Sequence, residues 1–367
     1  MIPFLSFDYQ DKLYRDQLIN AMTKVLDSKW YVMGQQLTEF EIAYAKLHGI
    51  NFTVGVANGL DALIISLHSL GIGPGDEVIV PSNTYIASWL AVSAMGAVPI
   101  PVEPDERTYN INPELIENSI TDRSRAIMPV HLYGQSCNMT QIMEIANRHN
   151  LYVVEDNAQA HLSKWGGQFT GTFGHINATS FYPGKNLGAL GDGGGITTND
   201  ENLYHKVKTY RNYGSNKKYY NEEKGTNSRL DELQAAVLNV KLPYLHQLTE
   251  ERRNAAGKYN KLLNDCSEIQ IPFVDKDAEH VYHLYVILCS KRDELQLFLK
   301  NKKIETLIHY PIPPHLQKAY FDLGYKVGDF PIAEKIANEC LSLPLYPGIK
   351  DDEIQRVAES IKDFFKK

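Results

Sequence analysis

The feature that most constrains the fold is a repeated alternation of short apolar runs and amphipathic stretches from about residue 53 onward. The apolar runs that predict strands lie at 53–56, 77–80, 98–102, 126–130 and 151–154. Amphipathic stretches between them, such as 61–70 and 86–95, predict helices. Repeated β-α units of this length predict an α/β fold, with a mostly parallel sheet flanked by helices.

A change of character from about residue 267, after a polar helical connector, predicts a second domain, for which a chain of 367 residues is long enough. Residues 1–245 are expected to form a large domain with an N-terminal arm. Residues 246–367 are expected to form a connector, helical at 247–263, and a small C-terminal α/β domain. Near the end of the large domain we expect an amphipathic helix to begin at Ser228, whose spacing to Asp231 is that of a capping box with Asp in place of Glu.

Composition excludes several classes of function. The net charge is −7, from 37 basic and 44 acidic residues, and no strongly basic block indicates nucleic-acid binding. No stretch approaches the roughly 20 apolar residues of a membrane span, and the N-terminus lacks a signal-peptide pattern, so we expect a cytoplasmic protein. Four widely spaced cysteines without a C-x-x-C pair predict neither disulfides nor a metal site; they are Cys137, Cys266, Cys289 and Cys340.

The clearest chemical signal is the pair Asp156 and Lys185. Asp156 ends one apolar run and Lys185 follows another, and ligands of such sheets bind at the carboxyl ends of the strands. A lysine that forms a Schiff base needs a lowered pKa, and pyridoxal phosphate also needs a carboxylate opposite its pyridine nitrogen. The two residues therefore have the layout that a pyridoxal phosphate enzyme requires. Most lysines in Gly/Pro-rich loops are merely solvated, so the interpretation depends on the surrounding residues.

The surrounding residues give weaker signals. The segment Asn58-Gly59-Leu60 opens a predicted helix, where free N–H groups suit a phosphate, although an ordinary capped turn has the same sequence. Tyr85, after a strand, either stacks on a flat ring or packs under a helix. Gln159 is placed to hydrogen-bond a cofactor oxygen. The glycines of 191–195 do not match a phosphate-binding P-loop and instead suit a close approach of the backbone to a ligand.

A segment rich in tyrosine and lysine, 213–224, precedes the predicted amphipathic helix. It suits either a cover over an anionic substrate or a solvated surface loop. Asn227 follows it, and from the local sequence alone Asn227 serves equally well as a helix cap.

Together these segments resemble the DegT/StrS-type sugar aminotransferases, which belong to the fold-type I pyridoxal phosphate enzymes. The resemblance is strongest in 155–160 (EDNAQA), 180–185 (SFYPGK) and 227–236 (NSRLDELQAA) and covers nearly the whole chain. It implies that residues 1–245 are the cofactor-binding domain. It also implies a homodimer with shared active sites.

The resemblance also implies roles for single residues. Lys185 and Asp156 would be catalytic, as the Schiff-base lysine and the partner of the pyridine nitrogen. Tyr85 would stack on the ring and Gln159 would contact its oxygen. The phosphate would be held by Gly59, Leu60, Ser180 and, from the second subunit, Asn227. Substrate would be bound by Tyr182, Lys217, Lys218, Arg229, His309 and Tyr310.

The segment 181–192 is similar to members of the family that aminate carbon 3 of a nucleotide-linked 3-oxo-6-deoxyhexose. The resemblance thus implies transfer of an amino group from L-glutamate to a dTDP-linked keto sugar, with pyridoxamine phosphate as the intermediate form of the cofactor. One alternative is a UDP-linked 3-oxo uronic acid, whose extra carboxylate would need a cation such as Arg229, Lys217 or Lys218. A non-catalytic regulator with the same fold is a second alternative, which the presence of Lys185, Asp156 and Gln159 together disfavours.

Overall fold

The computed structural model describes residues 1–366 and has a seven-stranded sheet at its centre. The strands of the chain are β1 (Phe52–Val56), β2 (Glu77–Pro81), β3 (Val98–Val102), β4 (Ser124–Ile127), β5 (Tyr152–Asp156), β6 (Lys164–Trp165), β7 (Gln168–Phe169), β8 (Ile176–Ser180), β9 (Gly194–Thr198), β10 (Ala278–Glu279), β11 (Tyr285–Leu288) and β12 (Cys340–Leu343). The central sheet has the order β1-β9-β8-β5-β4-β2-β3. The strands β3, β2, β4, β5 and β8 pair in parallel, and β9 runs antiparallel to both β1 and β8. The predicted α/β fold with a mostly parallel sheet is confirmed.

Helices flank this sheet and recur in the C-terminal part of the chain. They are α1 (Asp8–Ser28), α2 (Gln35–His48), α3 (Gly59–Ser69), α4 (Ala87–Ala94), α5 (Met139–His149), α6 (Glu201–Tyr210), α7 (Glu232–Lys241), α8 (Leu245–Leu263), α9 (Arg292–Asn301), α10 (Pro331–Glu339) and α11 (Asp351–Phe365). The connections from β1 through α3 and from β2 through α4 are the predicted β-α units.

The sheet is buried on both faces, as the continuous apolar runs require. Val78, Ile79 and Val80 in β2 have no exposed surface, and they belong to two different clusters on opposite faces. Side chains alternate between the faces of a strand, so Val78 and Val80 pack with α3 and α4 while Ile79 packs with α5. Burial on both faces fixes the sheet and therefore the edge at which its carboxyl ends meet.

The C-terminal part has a core of its own around the antiparallel pair β11 and β12. Tyr259 from α8, Tyr285 from β11 and Leu341 from β12 are fully buried in it, together with residues of α9 and α11. This arrangement agrees with a small α/β domain after the connector helix, and the boundary at residue 245 stays a prediction.

The expected helix start at Ser228 is wrong, because α7 begins at Glu232. The Ser228 hydroxyl accepts a hydrogen bond from the N–H of Ala57 at 3.1 Å instead of capping the helix. Glu232, in turn, caps a different helix: its carboxylate accepts the N–H groups of Gly34 and Leu37 at the start of α2 at 2.8 and 2.9 Å. The Ser228 hydroxyl, which the capping-box spacing assigned to a bond within the helix, thus bonds a residue that is distant in sequence.

Among the helices of residues 1–366, none is both long and apolar enough to cross a membrane.

Candidate active site

A cavity of about 730 Å³ opens at the carboxyl edge of the sheet. The parallel strands β1, β2, β5 and β8 all end there, so the segments that follow them meet around one space. Seven of its lining residues are those predicted to act on the cofactor: Gly59, Leu60, Tyr85, Asp156, Gln159, Ser180 and Lys185. The predicted substrate residues Tyr182, His309 and Tyr310 line it as well.

Asp156 is the last residue of β5 and is 6% exposed. One carboxylate oxygen accepts the N–H of Ala158 at 3.1 Å, and the other accepts the hydroxyl of Ser88 at 2.9 Å. Burial raises the pKa of Asp156, while these hydrogen bonds and the nearby Lys185 ammonium lower it in part. The carboxylate is fixed in direction and has lone pairs left for a cationic partner.

Lys185 lies in the loop after β8, where its N–H donates to the carbonyl of Tyr182 at 2.9 Å. Burial lowers the pKa of its ammonium to about 8, and the charge of Asp156 acts in the opposite direction. About a tenth of Lys185 is therefore a neutral, nucleophilic amine at pH 7, against well under a thousandth for an unburied lysine.

The N-terminus of α3 forms another wall of the cavity. Asn58 caps the helix by accepting the N–H of Asp61 at 2.8 Å, and the N–H groups of Gly59 and Leu60 in the first turn have no partner within the helix. A Cβ at Gly59 would lie 2.7 Å from the Cβ of Ser180, so only glycine allows this approach to β8. The free N–H groups of Gly59 and Leu60, the positive end of the helix dipole and the nearby Ser180 hydroxyl together suit a phosphate.

The glycines of 191–195 also have a role at this wall. A Cβ at Gly194 would lie 2.3 Å from the carbonyl oxygen of Asn58. Gly194, the first residue of β9, thus allows the strand to run directly behind the start of α3.

Two aromatic residues, Tyr85 and Tyr310, line the cavity together with Gln159. The rings of Tyr85 and Tyr310 lie 5.1 Å apart, and Tyr85 is 53% exposed. Gln159 accepts the N–H of Tyr133 at 2.7 Å and donates to the hydroxyl of Tyr310 at 3.1 Å. The ring of Tyr85 is therefore free to receive a flat ligand, whereas Gln159 is held in a defined orientation.

His309 approaches Lys185 from the C-terminal part of the chain. Its Nδ1 lies 2.8 Å from the hydroxyl of Ser342, and its carbonyl accepts the hydroxyl of Tyr133. Burial, with a smaller contribution from the Lys185 charge, lowers the pKa of His309 to about 4. The imidazole is neutral at pH 7.

Four predicted residues lie outside the lining of the cavity: Lys217, Lys218, Asn227 and Arg229. The two lysines and Asn227 are exposed. Arg229 donates to the side chain of Asn212 at 3.2 Å and lies over the ring of Tyr213. One chain does not bring these four side chains to Lys185.

Sequence reasoning missed Ser88, His283 and Arg252. Ser88 lies one turn after Tyr85, in α4, and its position after a strand was a usable signal. His283 and Arg252 line the cavity from the C-terminal part of the chain, and no local pattern marks them.

The residues present fit pyridoxal phosphate. Asp156, Lys185 and the cradle of Gly59, Leu60 and Ser180 all line one cavity. These are the groups that its pyridine nitrogen, aldehyde and phosphate require.

Comparison with known proteins decides the family. Residues 13–362 match the model of the DegT/DnrJ/EryC1/StrS aminotransferase family. The chain belongs to this family.

Relatives of the chain match it from end to end. It is 50% identical over 364 residues to a dTDP-3-amino-3,6-dideoxy-alpha-D-galactopyranose transaminase of Aneurinibacillus thermoaerophilus, covering 99% of each chain. It is 45% identical over 363 residues to a dTDP-3-amino-3,4,6-trideoxy-alpha-D-glucose transaminase of Streptomyces venezuelae, covering 99% of this chain and 96% of that one. The crystal structure of DesV from S. venezuelae, in complex with a ketimine intermediate, superposes with a TM-score of 0.98 at 45% identity, covering 100% of this chain and 99% of that one. The family predicted from the sequence is confirmed.

Proposed function

We propose that this aminotransferase moves an amino group from L-glutamate to carbon 3 of a dTDP-linked 3-oxo-6-deoxyhexose, in the cytoplasmic synthesis of deoxyamino sugars. The observation that carries the proposal is the single cavity lined by Lys185, Asp156 and the start of α3, in which the charge of Asp156 acts on the pKa of Lys185. The similarity to two transaminases of dTDP-linked 3-amino sugars supports the substrate class.

Lys185 has the properties of the base for both half-reactions. Its lowered pKa of about 8 leaves part of the amine neutral at physiological pH. The amine would take a proton from the α-carbon of the amino donor, and the resulting ammonium would deliver that proton to the carbon that had been the aldehyde of the cofactor, so that hydrolysis can release 2-oxoglutarate. The same group acts in reverse order at carbon 3 of the sugar, so one site serves both substrates and ping-pong kinetics follow.

Asp156 would hold the proton on the pyridine nitrogen of pyridoxal phosphate, which supplies an electron sink when bound. Ser88 and the N–H of Ala158 keep its carboxylate directed at that position. Tyr85 would cover one face of the ring, Gln159 would donate to the ring oxygen, and the start of α3 with Ser180 would hold the phosphate.

The sugar would bind against Tyr182, His309 and Tyr310. Tyr182 is 58% exposed at the cavity, and the neutral imidazole of His309 offers a hydrogen-bond partner without adding a charge. Hydroxyl groups of a hexose pair well with such neutral polar groups.

The four residues outside the cavity would act on the site of a second subunit in a homodimer. Exposed apolar side chains around the end of α1 support a partner surface; they include Leu26, Trp30 and Tyr31. In this arrangement Asn227 would reach the partner's phosphate site, while Lys217, Lys218 and Arg229 would face the diphosphate of the sugar nucleotide. The cofactor domain 1–245 and the C-terminal part 246–367 would close around each cavity.

The test is production of 2-oxoglutarate from L-glutamate by the purified protein with a panel of dTDP- and UDP-linked 3-oxo and 4-oxo sugars. We expect turnover with the dTDP-linked 3-oxo-6-deoxyhexoses and a yellow protein that absorbs in the visible region. Lys185→Ala, the control, should lose both properties. Preferred turnover of a UDP-linked 3-oxo uronic acid, or of 4-oxo sugars, would reject the substrate assignment, and no turnover of any sugar would favour the regulator.

A further inference from the structure

Arg252 is a buried cation that the reaction outlined above leaves unused. It lies in α8, is 3% exposed, and lines the cavity that contains Lys185. Its Nη1 donates to the carbonyls of Tyr282, His283 and Leu345 at 3.3, 3.3 and 3.1 Å. The guanidinium is thus held in place at the edge of the cavity by the backbone of the C-terminal part of the chain.

The guanidinium has no acidic partner among the described residues. Its hydrogen bonds all involve Nη1 and carbonyl oxygens, so Nε and Nη2 keep three N–H donors without a partner in residues 1–366. Burial lowers the pKa of Arg252 to about 10, which still leaves it charged at neutral pH. A buried charge without a counter-ion is costly, and an anion at Nε and Nη2 would remove that cost.

The other groups near Arg252 do not compete for an anion. Burial, together with the nearby charges of Lys185 and Arg252, holds the pKa of His283 well below its usual range. His309 is neutral for the same reasons. Arg252 therefore stays charged at neutral pH, while His283 and His309, the histidines that line the cavity with it, are neutral.

We propose that the free edge of the Arg252 guanidinium binds a carboxylate of the amino-acid donor and so positions the donor's α-carbon for Lys185. A guanidinium fork binds a carboxylate through two parallel hydrogen bonds, for which Nε and Nη2 have the required geometry. Asn186 and His283 connect the two cations: the side-chain oxygen of Asn186, next to Lys185, lies 3.3 Å from Nδ1 of His283, whose carbonyl accepts from Arg252. L-glutamate, the proposed amino donor, has two carboxylates, so every turnover supplies an anion that the Arg252 guanidinium can bind.

The inference rests on the proposed aminotransferase function. Measuring the two half-reactions separately distinguishes a failure of the inference from a failure of the proposed function. The first half-reaction uses L-glutamate alone, and the second uses the amino-sugar nucleotide alone, in the reverse direction. Failure of wild-type protein to aminate any nucleotide sugar would reject the proposed function while leaving the first half-reaction available to test Arg252.

Arg252→Gln should raise the KM for L-glutamate about 10- to 100-fold, as expected for loss of a charged hydrogen-bonded pair. The amino-sugar half-reaction of the same variant should stay within about twofold of wild type, which also shows that it is folded and loaded with cofactor. Arg253→Gln is the matched control, because Arg253 is the next residue of α8 but pairs with Glu250 and Glu279 near the surface. It should change neither half-reaction.

A binding measurement separates positioning from a structural role. Glutarate has the two carboxylates of glutamate without its amine, so its binding can be followed by calorimetry without turnover. We expect Arg252→Gln to lose most of the affinity for glutarate and Arg252→Lys, which keeps the charge but not the fork, to lose part of it.

Three outcomes would overturn the inference. Equal loss in both half-reactions would assign Arg252 to the fold. Loss confined to the amino-sugar half-reaction would assign the guanidinium to a carboxylate or phosphate of the sugar nucleotide. Unchanged glutarate affinity in Arg252→Lys and Arg252→Gln would exclude carboxylate binding, and Arg252→Lys alone decides the matter if the glutamine variant does not fold.

Discussion

The inner wall of the cavity and the outer segment 213–229 both contain residues predicted to bind cofactor or substrate, but they differ in burial and hydrogen bonding. The inner wall is the set of predicted cofactor residues that line the cavity: Gly59, Leu60, Tyr85, Asp156, Gln159, Ser180 and Lys185. Asp156 and Gln159 are buried, and each makes two hydrogen bonds to the chain around it. Lys217, Lys218 and Asn227 are exposed, and the two lysines lie over neighbouring tyrosine rings. The residues of the inner wall come together within one chain, whereas those of the outer segment do not reach the cavity of their own chain.

The difference follows from what holds each side chain. A carboxylate that stabilises charge on a cofactor, as proposed for Asp156, must be held in one orientation by burial and hydrogen bonds. The packed end of the sheet provides both. A group that attracts a diphosphate needs charge and reach, and a solvated loop provides both. Changes in the inner wall should therefore affect rate in both half-reactions, and changes in the outer segment should affect the binding of one substrate.

Replacing Asp156 with alanine should have a larger effect than removing the Ser88 hydroxyl or neutralising Lys217 and Lys218. The variant removes the buried carboxylate that would hold the pyridine proton, so kcat should fall by about 100-fold or more in both half-reactions. Stopped-flow absorbance of each half-reaction measures it. A variant with near wild-type turnover and an unchanged cofactor spectrum would show that the inner wall does not act electronically.

The pH dependence of cofactor uptake should come next. With a pKa of about 8 for Lys185, the neutral amine falls about tenfold per pH unit below pH 8. Uptake of pyridoxal phosphate by cofactor-free protein should therefore speed up from pH 6 and level off near pH 8, whereas an unburied lysine would keep gaining up to about pH 10. Since the charge of Asp156 raises the pKa of Lys185, Asp156→Asn should move the midpoint to lower pH. An unmoved midpoint would contradict the coupling between the two groups.

Ser88→Ala should have an intermediate effect. It removes one hydrogen bond to the Asp156 carboxylate, which should raise the pKa of that group and lower kcat by about tenfold. Ser93→Ala is a suitable control, because Ser93 also lies in α4 but bonds Tyr320. If the two variants behaved alike, the effect would belong to the helix and not to Asp156.

Neutralising Lys217 and Lys218 together should have the smallest effect. Exposed charges contribute little each, so we expect the KM for the sugar nucleotide to rise by about three- to tenfold, less at high salt, with the glutamate half-reaction unchanged. Lys326→Gln combined with Lys335→Gln, at two exposed sites in the C-terminal part of the chain, controls for the loss of two charges. Equal changes in both half-reactions would remove the distinction between the inner wall and the outer segment.

The positions of the inner-wall residues could be predicted because local signals and strand ends coincide there, while their roles stay predictions. Asp156 ends β5, Lys185 follows β8, and Gly59 opens α3, so each residue could be placed from its own strand. Ser88 was missed although it lies one turn beyond Tyr85.

Residues that depend on long-range packing could not be predicted in the same way. Arg252 lies in a polar helix whose pattern gives no reason to expect a cavity beside it, and only the carbonyls of distant segments hold it there. Ser228 was assigned to a helix cap, but its hydroxyl accepts a hydrogen bond from Ala57, 171 residues away. Local spacing is a weak guide wherever tertiary partners use the same groups.

The most direct test of the account is complementation between subunits, because its central claim is that the outer segment serves the site of the partner. Lys185→Ala and Asn227→Trp should each be nearly inactive as homodimers. In an isologous mixed dimer, one site carries both changes and the other carries neither. Coexpression of the two variants with different tags, followed by purification of the mixed species, should therefore restore up to one working site per dimer. If Asn227 served its own subunit, every site of the mixed dimer would carry one defect, and verified mixed dimers without activity would contradict the account.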